Sequence, residues 1–213
     1  MPIDLSTRHV LVIGGSGAIG GAVVDLALEG GARVTATSRS VDDRAGRERL
    51  AWRALDVTDH GAIGDLLTDL GDATDIVVAG AHRAFASLVD MDPDDLVSLV
   101  DTKLWGSFHV GRAAAQHLPD DGTLTFISGL LASYPDAASP VAAVSAAVDA
   151  LGRGLAVELA PIRVNVVSPE ALGTSGRGSH EGQPVDVAQA ILSAVTNPWM
   201  SGTIIEIHGA AKP

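Results

Sequence analysis

Val10-Leu11-Val12-Ile13-Gly14-Gly15-Ser16-Gly17-Ala18-Ile19-Gly20 is the stretch that decides the fold. Its first four residues are apolar and mostly β-branched, the pattern of a strand covered on both faces. The glycines then let the chain turn tightly and enter a helix. Gly15-x-Gly17-x-x-Gly20, placed between a strand and a helix, is a phosphate-binding arrangement. The backbone can approach a pyrophosphate closely, and the helix N-terminus offers unpaired N–H groups and a positive dipole end. The alternative is a glycine-rich turn that only packs strand on helix.

Outward from this turn, apolar runs alternate with amphipathic stretches. The pattern predicts strands at 9–13, 33–37, 49–55, 75–79, 123–127, 163–167 and 203–207. It predicts helices at 18–29, 60–70, 93–118, 141–159 and 186–196, the third with an apolar face of Leu96, Val97, Leu99, Val100 and Leu104. Strand and helix in alternation imply an α/β fold, a doubly wound, Rossmann-like parallel sheet in a single domain, 1–213. Residues 173–183 are rich in Gly and Ser, with Arg177 and His180 among them, and suit a short lid.

Composition narrows the partners. A chain of 213 residues with 46% hydrophobic content suits one domain with a full core. The formal net charge is −12, the isoelectric point is near 4.7, and no basic patch stands out, so nucleic acid is not expected. There are no cysteines, which excludes disulfides and thiolate metal sites; no metal site is expected. Met1-Pro2-Ile3-Asp4 begins no signal segment, and no apolar run approaches the roughly 18 residues a membrane helix needs. No membrane partner is expected, and the cytoplasm is the default compartment.

The predicted second strand ends in Thr37-Ser38-Arg39-Ser40. A site that prefers NAD(H) would place a carboxylate there for the ribose hydroxyl. None is present, and Arg39 can pair with a 2′-phosphate instead. NADP(H) is therefore expected over NAD(H). A surface arginine with no ligand is the alternative, and Asp42 and Asp43 could reverse the preference by folding back.

With these features the chain resembles the short-chain dehydrogenase/reductase family over nearly its whole length. Residues 13–20 are similar to the family's Thr-Gly-x-x-Gly-x-x-Gly form, with Ile13 in place of Thr. Asp56-Val57 sits where the family contacts adenine. Asp75-Ile76-Val77-Val78-Ala79-Gly80 resembles the Asn-Asn-Ala-Gly strand end. Residues 162–169, ending in Ser168-Pro169, resemble the strand before the nicotinamide, with Glu170 in place of Gly. Thr174 matches the Thr after that turn, and 201–209 resembles the last strand. The resemblance implies cofactor contacts from Gly14, Gly15, Ser16, Gly17, Ala18, Ile19, Gly20, Ser38, Arg39, Asp56, Val57, Ala79, Gly80, Pro169 and Thr174.

Catalysis does not carry over in the same way. In the family a Tyr gives a proton to the substrate carbonyl, and a Lys four residues on lowers that Tyr's pKa from about 10. Alignment on Ala146-Ala147-Val148-Asp149-Ala150-Leu151 puts Val141 at the Tyr position and Ser145 at the Lys position. Lys103 stands where the family's relay Asn is found. Ser128 precedes Val141 by the separation usual for the family's Ser, although Gly129 can also be aligned there.

Four residues are candidates for the missing chemistry. Ser128 can orient a carbonyl or simply cap a turn. Lys103 can act as an acid with a lowered pKa, hold a ribose, or lie on the surface. His82 can act as an acid or be a loop histidine without a role. Tyr134 can donate a proton, pack beneath a substrate, or join a subunit contact. The apolar segment 139–159 is expected in a homodimer or homotetramer, or in plain packing on the sheet. The expectation is an atypical NADP(H)-dependent oxidoreductase acting on a carbonyl, or an activated double bond, of a small to medium apolar substrate. An isomerase, dehydratase or cyclase on the same fold, or a catalytically silent NADP(H)-binding regulator, are the alternatives.

Overall fold

The computed structural model describes residues 3–41, 46–82, 84–133, 138–172 and 181–209. Seven strands form one all-parallel sheet: β1 (His9–Ile13), β2 (Arg33–Ser38), β3 (Leu50–Ala54), β4 (Asp75–Val78), β5 (Thr123–Ile127), β6 (Arg163–Pro169) and β7 (Ile204–Ile207). Their order across the sheet is β3-β2-β1-β4-β5-β6-β7. All five residues of β1 are buried, as its continuous apolar sequence requires.

Among the described residues, six α-helices cover the two faces. They are α1 (Ala18–Glu29), α2 (His60–Leu70), α3 (Pro93–Leu99), α4 (Gly106–His117), α5 (Ser139–Glu158) and α6 (Pro184–Thr196). Val23, Val24 and Ala27 of α1 and Val187, Ile191 and Leu192 of α6 pack with Val10, Val12 and Val77 on one face. On the other face, Ile63, Leu66, Val110, Ala114 and Val148 pack with Leu11, Ile76, Leu124, Phe126 and Val164. Strand alternation sorts the side chains between the two layers. By length and composition α5 is apolar enough to cross a membrane, but it serves as a core helix against β6.

The helix ends follow their sequences. Asp59 caps α2 by accepting from the Gly61 and Ala62 N–H groups at 3.2 Å each. Gly71 ends it in the left-handed region, φ 64°. Gln183 and Asp186 close a reciprocal capping box at the start of α6.

One expectation is corrected. Residues 93–118 do not form one helix: a wide π-helical turn, Val100–Trp105, separates α3 from α4. The Thr102 hydroxyl donates to the Ser98 carbonyl at 2.7 Å, and the Ser107 hydroxyl to the Lys103 carbonyl at 2.6 Å. Both hydroxyls thus bond back to the preceding turn. Gly106 then lets the chain pass Val57; a Cβ on it would lie 2.7 Å from Val57 Cγ2. Apolar periodicity cannot register this interruption, because the residues on both sides keep their faces.

Candidate functional site

The glycine turn lies at the C-terminal ends of β1, β2 and β4, where the strand order reverses. The Ala79 N–H donates to the Ile13 carbonyl at 2.8 Å, and the Gly14 N–H to Thr37 Oγ1 at 3.2 Å. Gly14 has φ +80°, and a Cβ on it would lie 2.4 Å from Gly80 Cα. Only glycine permits both the conformation and the close approach. A Cβ on Gly20 would lie 2.2 Å from the Gly14 carbonyl oxygen, so the helix can begin there only without a side chain. Gly15 and Gly20 are buried, whereas Ser16, Gly17 and Ala18 are exposed. Gly17 starts α1 without a side-chain cap. The first-turn N–H groups therefore face outward, a cradle that fits a pyrophosphate.

Beside this cradle, Ser38 ends β2 and its carbonyl accepts the Leu55 N–H at 3.0 Å. Arg39 follows, exposed. Asp56 accepts from the Thr58 N–H at 3.0 Å and the Thr58 hydroxyl at 2.7 Å. These bonds, with the charge of Arg39, hold its carboxyl below the usual range. Asp42 and Asp43 lie outside the described residues.

The second half of the site gathers around the π-helical turn. The Lys103 Nζ donates to the Ser128 carbonyl oxygen at 2.6 Å. Burial lowers the Lys103 pKa to about 8, against the opposing pull of the Asp149 carboxylate. Ser128 is buried just past β5, and its N–H is tied to the Val167 carbonyl at 3.0 Å. A Cβ on the next residue, Gly129, would lie 3.3 Å from Ser145 Oγ and 3.9 Å from Lys103 Nζ. The ammonium and the Ser145 hydroxyl thus approach one point from two different helical segments. Val141, one turn before Ser145, is buried among Leu99, Ala138 and Val144.

The candidates divide accordingly. Ser128 and Lys103 are brought together. His82 is not: its ring Nε2 lies 2.9 Å from Asp95 Oδ1 on α3, and its N–H donates to Thr102 Oγ1 at 2.8 Å. Tyr134, Thr174, Arg177 and His180 lie outside the described residues. A cleft lined by Pro169, Leu172, Gln183, Val187, Ile207 and His208 opens beside the ends of β6 and β7.

Sequence reasoning passed over Asp149 and Ser168, which complete the buried polar layer beneath Lys103. A signal existed for the first. Asp149 is the first charged residue in α5, and it is buried. Lys103 also carried an unused signal, being one of two lysines beside twelve arginines.

Comparison with known proteins agrees with this geometry. The family model described as enoyl-(acyl carrier protein) reductase matches residues 14–211. The cyclic-di-GMP-binding biofilm dispersal mediator protein of Escherichia coli (strain K12) is 26% identical over 230 residues, covering 95% of this chain and 96% of that protein. Sorbose reductase sou1 of Schizosaccharomyces pombe is 29% identical over 193 residues, covering 80% of this chain and 75% of that protein. A crystal structure of a small-chain dehydrogenase in complex with NADPH superposes with a TM-score of 0.81 at 26% identity, covering 94% of this chain and 96% of that one. A parallel sheet in this order, a glycine turn at its reversal point and a match of this extent have one reading: the chain belongs to the short-chain dehydrogenase/reductase family.

Proposed function

We propose that the protein is an NADP(H)-dependent oxidoreductase that reduces a carbonyl, or an activated double bond, of a small to medium apolar substrate. The observation that carries this reading is the placement of Lys103 Nζ at the Ser128 carbonyl, within reach of the point that Ser145 also approaches. In the family alignment Val141 and Ser145 hold the Tyr and Lys positions. Val141 can give no proton and Ser145 no charge. Lys103 supplies the positive charge from the other helix.

The pyrophosphate would rest on the 14–20 turn and the start of α1. Ala79, Gly80 and Pro169 would flank the nicotinamide side. Asp56 and Val57 would meet the adenine, while Ser38 and Arg39 would take the 2′-phosphate. A nicotinamide bound in this way would supply a hydride. The Ser128 hydroxyl orients the substrate oxygen, and the Lys103 ammonium neutralises and protonates it. The apolar segment 139–159 would form the homodimer or homotetramer contact, and the exposed Trp105 and Phe108, packed edge to face, support an oligomer.

Titration with NADPH and NADH, followed by nucleotide fluorescence, is the first test, and a carbonyl panel read by NADPH oxidation is the second. Tight NADPH binding with turnover supports the reading; binding of neither nucleotide overturns it. The burial of an inert Val141 favours one other reading, a silent or non-redox member of the family. Product formation without NADPH oxidation would identify the non-redox case, and binding without any turnover the silent one.

A further inference from the structure

Val141, Ser145 and Asp149 are spaced four residues apart on α5 and so share one stripe of the helix. The ends of β5 and β6 face that stripe. Leu124, Phe126, Val164 and Val166 pack on this side of the sheet with Val148 of α5. Alternation carries Ser128 and Ser168 to the same side. Ile127 pairs with Val167, so the two serines follow side by side.

The layer between these walls is polar. Ser128 is 4% exposed, Ser145 1%, Asp149 6% and Ser168 0%. Ser128 Oγ, Ser145 Oγ, Asp149 Oδ1 and Ser168 Oγ each lack a hydrogen-bond partner. Leaving such a group unsatisfied in a buried layer is costly. Four in one layer point to something they hold, and buried water commonly binds three such groups at once. Lys103 Nζ stands at the edge of this layer, beside Ser128 and Ser145.

We propose that Asp149 is the proton-exchange partner of Lys103, joined to it by water held on the hydroxyls of Ser128, Ser145 and Ser168. This rests on the reading of Lys103 as the acid. When the ammonium protonates a substrate oxygen, an N–H bond breaks, an O–H bond forms, and a neutral amine remains. Asp149, a carboxylate at rest, then takes up a proton from solvent, and a water molecule passes a proton from its carboxyl to the amine, so one proton enters for each one delivered. Asp149 is thus a positioning residue that recharges Lys103.

The charged surroundings of the pair are few. Arg153 on α5 and Glu206 on β7 face Asp149. Burial raises the Asp149 pKa, Ser128, Arg153 and Lys103 oppose this, and Glu206 adds to it. The raised value suits a carboxyl that can carry a proton.

The chain has two lysines, Lys103 and Lys212, so lysine labelled with 13C at Cε gives two NMR signals, and Lys212→Arg assigns them. The titration is recorded on the full chain without nucleotide or substrate. Lys103 should titrate near pH 8, and Asp149→Asn should move it down by about one pH unit. The reciprocal measurement, the Asp149 carboxyl titration in Lys103→Met, should move up, because linkage is mutual. It decides the matter if Asp149→Asn does not fold. A high-resolution crystal structure should show water bonded to Ser145 Oγ and Asp149 Oδ1. Unmoved titrations, or a layer without water, overturn the proposal. Because no turnover is needed, a failure here is distinct from a failure to reduce any carbonyl.

Discussion

Replacing Lys103 by methionine should make the protein more stable and less active. Met keeps the unbranched stem and removes the charge. The Lys103 pKa of about 8 lies well below the ordinary 10.5, so holding the ammonium at pH 7 costs about 3 kcal/mol. Its bond to the Ser128 carbonyl returns about 1.5–3 kcal/mol. The net gain for the Met variant is between zero and about 2 kcal/mol, a rise in Tm of up to about 6 °C. The pH dependence has a fixed sign. Between pH 8 and 10.5 the unfolded chain binds a proton that the folded chain has released, so the wild type gains stability as pH rises through that window. The Met variant does not, and the gap should close by about pH 10. Reductase activity should fall at least tenfold, about 1.4 kcal/mol of barrier. The assays are thermal unfolding at pH 7 and pH 10 and NADPH oxidation at saturating substrate. A Met variant that is less stable at every pH, or fully active, would refute the reasoning.

Gly14→Ala should weaken NADPH binding at least tenfold, since its Cβ would meet Gly80 Cα at 2.4 Å in a left-handed backbone; fluorescence titration reads this, and unchanged affinity would remove the turn from the site. Arg39→Ala should raise the NADPH dissociation constant about 10–100-fold and leave NADH nearly unchanged, the range expected for charged hydrogen bonds. Equal losses for both nucleotides would remove the phosphate argument. Asp75→Asn should lower stability by about 3 kcal/mol, because buried Asp75 accepts two bonds from Arg8 at 2.8 Å each and others from Thr74 and Thr123; denaturant unfolding measures it, and a change under 1 kcal/mol on the order expected for a surface pair would refute it. His9 and His109 both have pKa values lowered chiefly by burial. Stability should therefore fall as pH drops below the ordinary histidine value of about 6.5, before the carboxylates titrate. A Tm flat from pH 7 to pH 5 would contradict this.

The sheet was legible because its signals are local. Five buried residues in β1, a glycine turn, and strands broken by polar turns are each written within a few neighbours. The strand ends shifted by at most two residues, as with β6, which runs on through Ser168 and Pro169. The glycine turn at the start of α1 was legible for the same reason. The rest of the site was not, because it is assembled across the chain. Lys103 meets Ser128 from 25 residues away, and Asp149 reaches the same layer from a third segment. No spacing rule links three such positions. The interruption at Val100–Trp105 escaped because the apolar pattern continues through it. The contact of the His82 ring with Asp95 depends on where α3 begins, which no local signal around His82 records.

The wide turn between α3 and α4 has an evolutionary side. A π-helical turn is an α-helical one that has absorbed an extra residue. Deleting one codon within Val100–Trp105 would let an ordinary helix close and shift the residues inside the turn by one position. The two flanking helices, anchored by Leu99 and Val110, would keep their places in the core, and the residue presented to Ser128 would change. The segment is therefore a frame-preserving hot spot, where a three-base insertion or deletion exchanges the chemistry offered to the crevice while the surrounding architecture stays intact.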